Sequence, residues 1–95
     1  TEPDYPFLKA GCIGISKFFS SYLAEKNVRV NVVAPGGVAN NQPSSFTRRY
    51  NERVPMKRMA EVNEIVSAIE YLSDSEKASY ITGQNLIVDG GLTSW

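Results

Sequence analysis

Two residues near the start of the chain, Tyr5 and Lys9, are spaced four apart in a helix-length stretch, YPFLKAGCIGISKFFSSYLAEK. Residues at that spacing share one face of a helix. A phenol and an ammonium group side by side can perform proton transfer, because a nearby cation favours the ionised form of an acid. Tyr5 is therefore a candidate general acid/base and Lys9 its electrostatic partner. The remaining chemistry is narrow. The sequence holds Cys12 as its single cysteine and no histidine. A structural zinc site and a Ser/His or Cys/His nucleophile are excluded on that composition, and no metal site is expected. Cys12 falls in the apolar helical pattern, where a small buried hydrophobe in a reducing compartment is expected.

The elements that must position such a pair follow in order. Asp4 suits the N-cap, and Pro6 is tolerated in a first turn. Leu8, Cys12, Ile15, Phe19 and Tyr22 make one apolar stripe, with Phe7 and Phe18 on a neighbouring line around Gly11 and Gly14. Glycine costs helix stability, so close packing by a second body is expected there. The helix should be covered on two sides, by its own sheet and by a second helix, which could be a partner subunit's. Asn27 suits the C-cap. Val28–Ala34 reads as a buried parallel strand ended by Pro35-Gly36-Gly37. Val38–Pro55 is a polar, lid-like segment in which Ser44 or Ser45 is expected to cap a short helix through Phe46 and Tyr50. Glu61–Asp74 is amphipathic, with Val62, Ile65, Val66, Ile69 and Leu72 on one stripe. Ser79–Gly83 is a linker, and Gln84–Val88 is a last strand ended by Asp89-Gly90-Gly91.

The order helix, strand, lid, helix, strand predicts an α/β fold with a right-handed parallel crossover, part of a doubly wound sheet. The 95 residues allow one small domain. Two parallel strands alone leave an apolar edge, so residues 1–95 read as an incomplete folding unit. Net charge is zero, and no attraction to nucleic acid or an anionic membrane follows. Charge is uneven, because Arg48, Arg49, Arg53, Lys57 and Arg58 lie between Ala39 and Ala60 against Glu52 alone. No apolar run has the length of a membrane span and no signal peptide is visible, so a cytoplasmic location is expected.

Five blocks together resemble the short-chain dehydrogenase/reductase family over nearly the whole chain. They are Tyr5-x-x-x-Lys9-Ala10-Gly11, Val28-Arg29-Val30-Asn31-Val32-Val33-Ala34-Pro35-Gly36-Gly37-Val38, and Pro55-Met56-Lys57-Arg58-Met59 with Glu64-Ile65. Tyr71-Leu72-Ser73-Asp74 follows, and then Ser79-Tyr80-Ile81-Thr82-Gly83-Gln84 with Val88-Asp89-Gly90-Gly91. The resemblance implies the C-terminal part of a Rossmann-type sheet, with the nucleotide-binding half expected upstream. It implies hydride exchange between NAD or NADP and a small carbonyl or alcohol. Tyr5 would be the acid/base, with Lys9 on the nicotinamide ribose. Pro35, Gly36, Gly37, Val38 and Asn40 would line the nicotinamide side, in keeping with ligand sites at the carboxyl ends of parallel strands.

The resemblance also implies a homodimer or homotetramer. Pro35-Gly36-Gly37-Val38, Asn41-Gln42-Pro43, Phe46, Tyr50 and Arg58-Met59 resemble a subgroup linked to bacterial surface-sugar and flagellin modification, which would place the lid arginines near an anionic sugar. Three departures stand out. Leu8 replaces a small residue, Pro6 is unusual in this helix, and Asn40 stands where the family often has Thr. The family's Gly-rich turn, its Ser before the Tyr and its helix Asn are expected upstream of residue 1. A non-catalytic association module is the alternative, and dehydration or epimerisation a third reading. Plainer roles also exist: a solvated face for the arginines, a strand-ending turn for Asp89-Gly90-Gly91, core or interface for Phe7, Phe18 and Tyr22, and a frayed end or subunit contact for Trp95.

Overall fold

Asp4–Leu23 forms a long helix, α1, that a single 3-10 turn, Ala24–Lys26, extends to Asn27. In this computed structural model the backbone is described for residues 4–94 and the side chains for residues 8–94. Asn27 closes the helix in the left-handed conformation (φ 61°), returning its N–H to the Ala24 carbonyl at 3.0 Å. Asparagine tolerates that conformation because its short polar side chain can bond locally. The strands β1, Val32–Pro35, and β2, Asn85–Val88, pair in parallel with Val32 opposite Asn85 and Pro35 opposite Val88. Between them lie the helices α2, Ser44–Arg53, and α3, Val62–Ser73.

The first strand is shorter than the valine-rich run predicts, because Val28–Asn31 lies outside it. The reason lies in two polar residues inside the run. Asn31 donates its side-chain amide to the Ile81 carbonyl (3.0 Å) and accepts the Gln84 N–H (3.0 Å). Val30 N–H bonds the Thr82 hydroxyl (3.0 Å), while Gly83 N–H reaches the Val30 carbonyl (2.7 Å). Side chains thus replace ladder bonds until Val32, where regular pairing begins. Arg29 adds a fork: its Nη1 donates to the carbonyls of Leu72 (2.9 Å) and Ile81 (3.2 Å). The Leu72 carbonyl is in the last turn of α3, where helix carbonyls lack intrahelical partners.

The helix α3 is capped at its start by Glu61, whose side chain accepts from the Glu64 backbone while Glu64 answers the Glu61 N–H (2.8 Å). Arg58 grips both oxygens of Glu64, at 2.7 and 2.9 Å. That pairing with Arg58, followed by the Glu61 N–H, lowers the Glu64 carboxyl to about 2. For α2 the cap is Pro43, and no side chain bonds the first turn, so the capping expected of Ser44 or Ser45 is not realised.

Burial is concentrated at Val54, Met59, Leu72 and Ala78. The apolar stripe of α3 is buried only at Leu72, and Val62, Val66 and Ile69 remain exposed. The helix α1 departs furthest from expectation. Among its described residues the buried side chains are Ser16 and Ser20, whereas Leu8, Ile15, Phe18, Phe19 and Tyr22 are exposed. Cys12 is exposed as well, not buried as its apolar surroundings suggest. The cause is how α1 is seated: Lys17 Nζ donates to the Gly83 carbonyl at 2.6 Å, and Ser20 stands against the Gly83 Cα. This polar side turns inward, so the apolar stripe faces away. Apart from the helix's own adjacent backbone, no described atom lies within 4 Å of where a Cβ on Gly11 or Gly14 would be.

Candidate active site

A turn at the carboxyl end of β1 carries most of the candidate residues, and nearly every amide in it is committed. Gly36 N–H donates to the Val88 carbonyl (2.9 Å), which carries the β1–β2 pairing one residue past Pro35. Gly37 N–H donates to the Tyr50 hydroxyl (2.5 Å). Val38 forms a parallel bridge with Ala60: Ala60 N–H reaches the Gly37 carbonyl and Ala39 N–H the Ala60 carbonyl, both at 2.9 Å. Gln42 closes the far side, donating to the Val38 carbonyl (2.7 Å) and accepting Asn40 N–H (2.8 Å). The Val38 N–H is left over, with no acceptor among the described residues. It stands on a braced turn, a suitable donor for an amide-like group.

Gly36 and Gly37 are needed for packing inside the chain itself. A Cβ on Gly37 would lie 2.6 Å from Cζ of Tyr50, and one on Gly36 would lie 2.9 Å from Asp89 and from the Tyr50 hydroxyl. The aromatic ring that approaches this backbone is therefore Tyr50. Asp89 is itself fixed, because it accepts from Thr93 Oγ1 (2.8 Å), Gly91 N–H (2.9 Å) and Thr93 N–H (3.0 Å). These bonds, the Thr93 hydroxyl foremost, hold its carboxyl below the usual carboxylate range. Asp89 is thus a turn-builder, as the strand-ending reading anticipates.

Asn40 is exposed beside this turn and Lys9 is exposed on α1. Tyr5 lies in the first turn of α1, and its side chain, like that of Phe7, is outside the described residues; so is Trp95. The contacts that seat α1, at Lys17 and Ser20, fall about two to three helical turns beyond Lys9. Pro35–Val38 and Asn40 are thus gathered in one place, and the juxtaposition of Tyr5 and Lys9 with them rests on the sequence pattern.

Of the cations in this region, Arg48 and Lys57 line an open cavity of about 710 Å³ with Ser44, Thr47, Asn51 and Glu52. The Asn51 side-chain oxygen is buried there without a hydrogen-bond partner. Tyr50 is the residue whose role sequence reasoning missed. Its signal was an aromatic one turn after Phe46 in an otherwise polar segment; the two rings stack at 6.5 Å.

A parallel strand ending in a braced, glycine-bearing turn places this chain in the class of open α/β sheets, whose ligands bind outside the carboxyl ends of their strands. The particular family follows from comparison. The family model described as enoyl-(acyl carrier protein) reductase matches residues 2–93, and the chain belongs to that family, the short-chain dehydrogenases/reductases. It is similar to D-arabinitol 2-dehydrogenase (ribulose-forming) of Candida albicans, with 40% identity over 96% of this chain and 35% of that protein. It is also similar to 3-oxoacyl-(acyl-carrier-protein) reductase FabG of Buchnera aphidicola, at 39% identity over 94% of this chain and 38% of that protein. A solved short-chain dehydrogenase from Leptospira borgpetersenii with bound NAD+ superposes with a TM-score of 0.86 at 39% identity, over 94% of this chain and 35% of that one. The fold is accordingly part of a Rossmann-type parallel sheet. The chain spans little more than a third of the length of these curated relatives.

Proposed function

We propose that this chain is the C-terminal portion of an NAD(P)-dependent oxidoreductase that interconverts a carbonyl and an alcohol, completed by an upstream nucleotide-binding half. One observation carries this reading: of the backbone donors from Gly36 to Asn40, Val38 N–H alone has no acceptor among the described residues. The residues fit a nicotinamide, whose carboxamide oxygen can accept that bond. When bound, the dinucleotide supplies or accepts a hydride at the substrate carbon. Tyr5 gives its phenolic proton to the carbonyl oxygen in reduction and takes it back in oxidation. Lys9, one turn on, favours the phenolate and binds the ribose, keeping proton transfer effective near neutral pH. Pro35, Gly36 and Gly37 shape the turn, and Asn40 offers its side-chain amide nearby.

A polyol or sugar substrate is supported by the arabinitol dehydrogenase relative and by the Arg48 cavity. An activated sugar of a surface-modification pathway is the narrower form, since an arginine suits an anionic group. A cytoplasmic location fits this chemistry; no helix among the described residues is long and apolar enough to cross a membrane. The test uses full-length protein titrated with NADH and NADPH by fluorescence, then turnover of the variant Y5F. Binding of one dinucleotide and a loss of kcat by at least about a hundredfold in Y5F are expected. Binding of neither dinucleotide refutes the reading.

The apolar line of α1 favours assembly as well, as a homodimer or homotetramer. Phe18 stacks on Tyr22 (5.9 Å) and meets Phe19 edge-on (5.3 Å), all three exposed, and the open Gly11/Gly14 line lies on the same helix. Cys12, exposed in the single chain, reports on this. In assembled protein it should resist a thiol reagent and react on dissociation, and equal reactivity in both states would count against α1 as the interface.

A further inference from the structure

We infer that Tyr50 is a positioning residue for the dinucleotide: by holding Gly37, it ties the lid helix α2 to the turn that presents Val38 N–H. The inference rests on the proposed cofactor role of that turn. Tyr50 meets the turn in three ways. Its hydroxyl accepts the Gly37 N–H at 2.5 Å. Its ring occupies the space a Gly37 side chain would need, with Cζ 2.6 Å from the ideal Cβ position. Its hydroxyl also closes on Gly36, at 2.9 Å from where a Cβ would stand.

The ring is itself held. Phe46, one turn earlier on α2, lies nearly parallel to it (16°), which restricts the direction the phenol can point. Past the end of α2, Val54 is fully buried against Gly90, in the turn that follows β2. The helix is therefore pinned beyond its C-terminal end, and its middle reaches the site through the phenol. Gly37 N–H immediately precedes Val38 N–H in the chain. Loss of its acceptor leaves a part-buried donor to find a new partner, and the turn must rotate to do so. That rotation moves the Val38 donor off its mark.

The test compares full-length wild type with Y50F, which keeps the ring and removes the acceptor. NADH and NADPH dissociation constants are measured by fluorescence beside the melting temperature of the unliganded protein. Binding in Y50F must turn the relaxed Gly37 N–H back to a position without an acceptor, and Kd for the preferred dinucleotide should rise about tenfold. Wild-type Kd in Y50F, with or without a lowered melting temperature, overturns the inference and leaves the proposed function standing. No binding by wild type overturns both. A second variant guards against a misfolded Y50F. Gly37 does not have a positive φ, and the three atoms nearest to a G37A methyl all belong to Tyr50. G37A should weaken binding about tenfold in wild type and no more than about twofold in a Y50A background. Equal effects of G37A in both backgrounds overturn the coupling.

Discussion

Replacing Arg29 should loosen the joint between α3 and the strands more than its place on the surface suggests. Its Nη1 bridges the carbonyls of Leu72 and Ile81, and the 3.5 Å approach of Nη2 to the Asp74 carbonyl is too long to add much. Two charge-assisted bonds are at stake, each contributing about 1.5–3 kcal/mol when shielded. Arg29 is only half-buried, and water can replace part of what is lost. The expectation for R29M is therefore about 2–3 kcal/mol. Lysine keeps the charge without the planar fork, so R29K should lose about 1 kcal/mol. Urea denaturation of the full-length protein measures the totals. Native-state hydrogen exchange at Gly83 and Val32, whose amides bond the Val30 and Gln84 carbonyls across this joint, measures the local opening. An R29M variant within about 0.5 kcal/mol of wild type, or R29K no different from R29M, would refute the reasoning.

Two further outcomes follow from the same geometry. Gly83 has φ +73° and its missing Cβ would lie 2.8 Å from the Ser20 hydroxyl oxygen. G83A should cost about 1–2 kcal/mol from the left-handed backbone and more from the contact, while adding S20A recovers only the contact part, as denaturation midpoints would show. Acidification should destabilise the fold. Glu64 (through Arg58), Asp74 (through the Lys77 and Glu76 amides) and Asp89 (through Thr93) all have carboxyls lowered in the folded state. Their contribution is complete above about pH 4–5, where the unfolded chain is ionised, and is lost as pH falls toward the folded values, near 2 for Glu64. In E64Q the acid-induced loss should become shallower; an unchanged pH profile counts against the pairing with Arg58.

How much of this was legible in the sequence depends on how local its cause is. The body of α3 was, because its stripe, acidic start and flanking residues act within a few turns; both predicted end residues, Glu61 and Asp74, prove to be caps. The parallel pairing followed from element order. The strand boundary at Val32 was not legible, since Arg29 and Asn31 spend their side chains on partners at residues 72–84, and an apolar run does not disclose that. The inward side of α1 was missed for a related reason. Periodicity shows that Leu8, Ile15 and Tyr22 need cover, but not that Lys17 and Ser20 are what seat the helix. In the candidate site, Pro35-Gly36-Gly37-Val38 was conspicuous by composition. Tyr50 was not, because its partner is a backbone N–H with no sequence signature.

The bonds around residues 81–84 also set an order of events during synthesis. Lys17, Arg29, Val30, Asn31 and Val32 all take their partners from Ile81, Thr82, Gly83 or Gln84. At ribosomal rates of about 5–20 residues per second, the first of these waits some seconds for its partner to be made. During that interval Lys17, Arg29, Val30 and Asn31 lack these partners, and the polar groups that join α1 and the strand to residues 81–84 stay with water. Local helix formation cannot shorten the delay, because the contacts that end it join residues far apart in the chain. Translational pausing just before Ile81–Gln84 would therefore prolong the interval in which this joint is open.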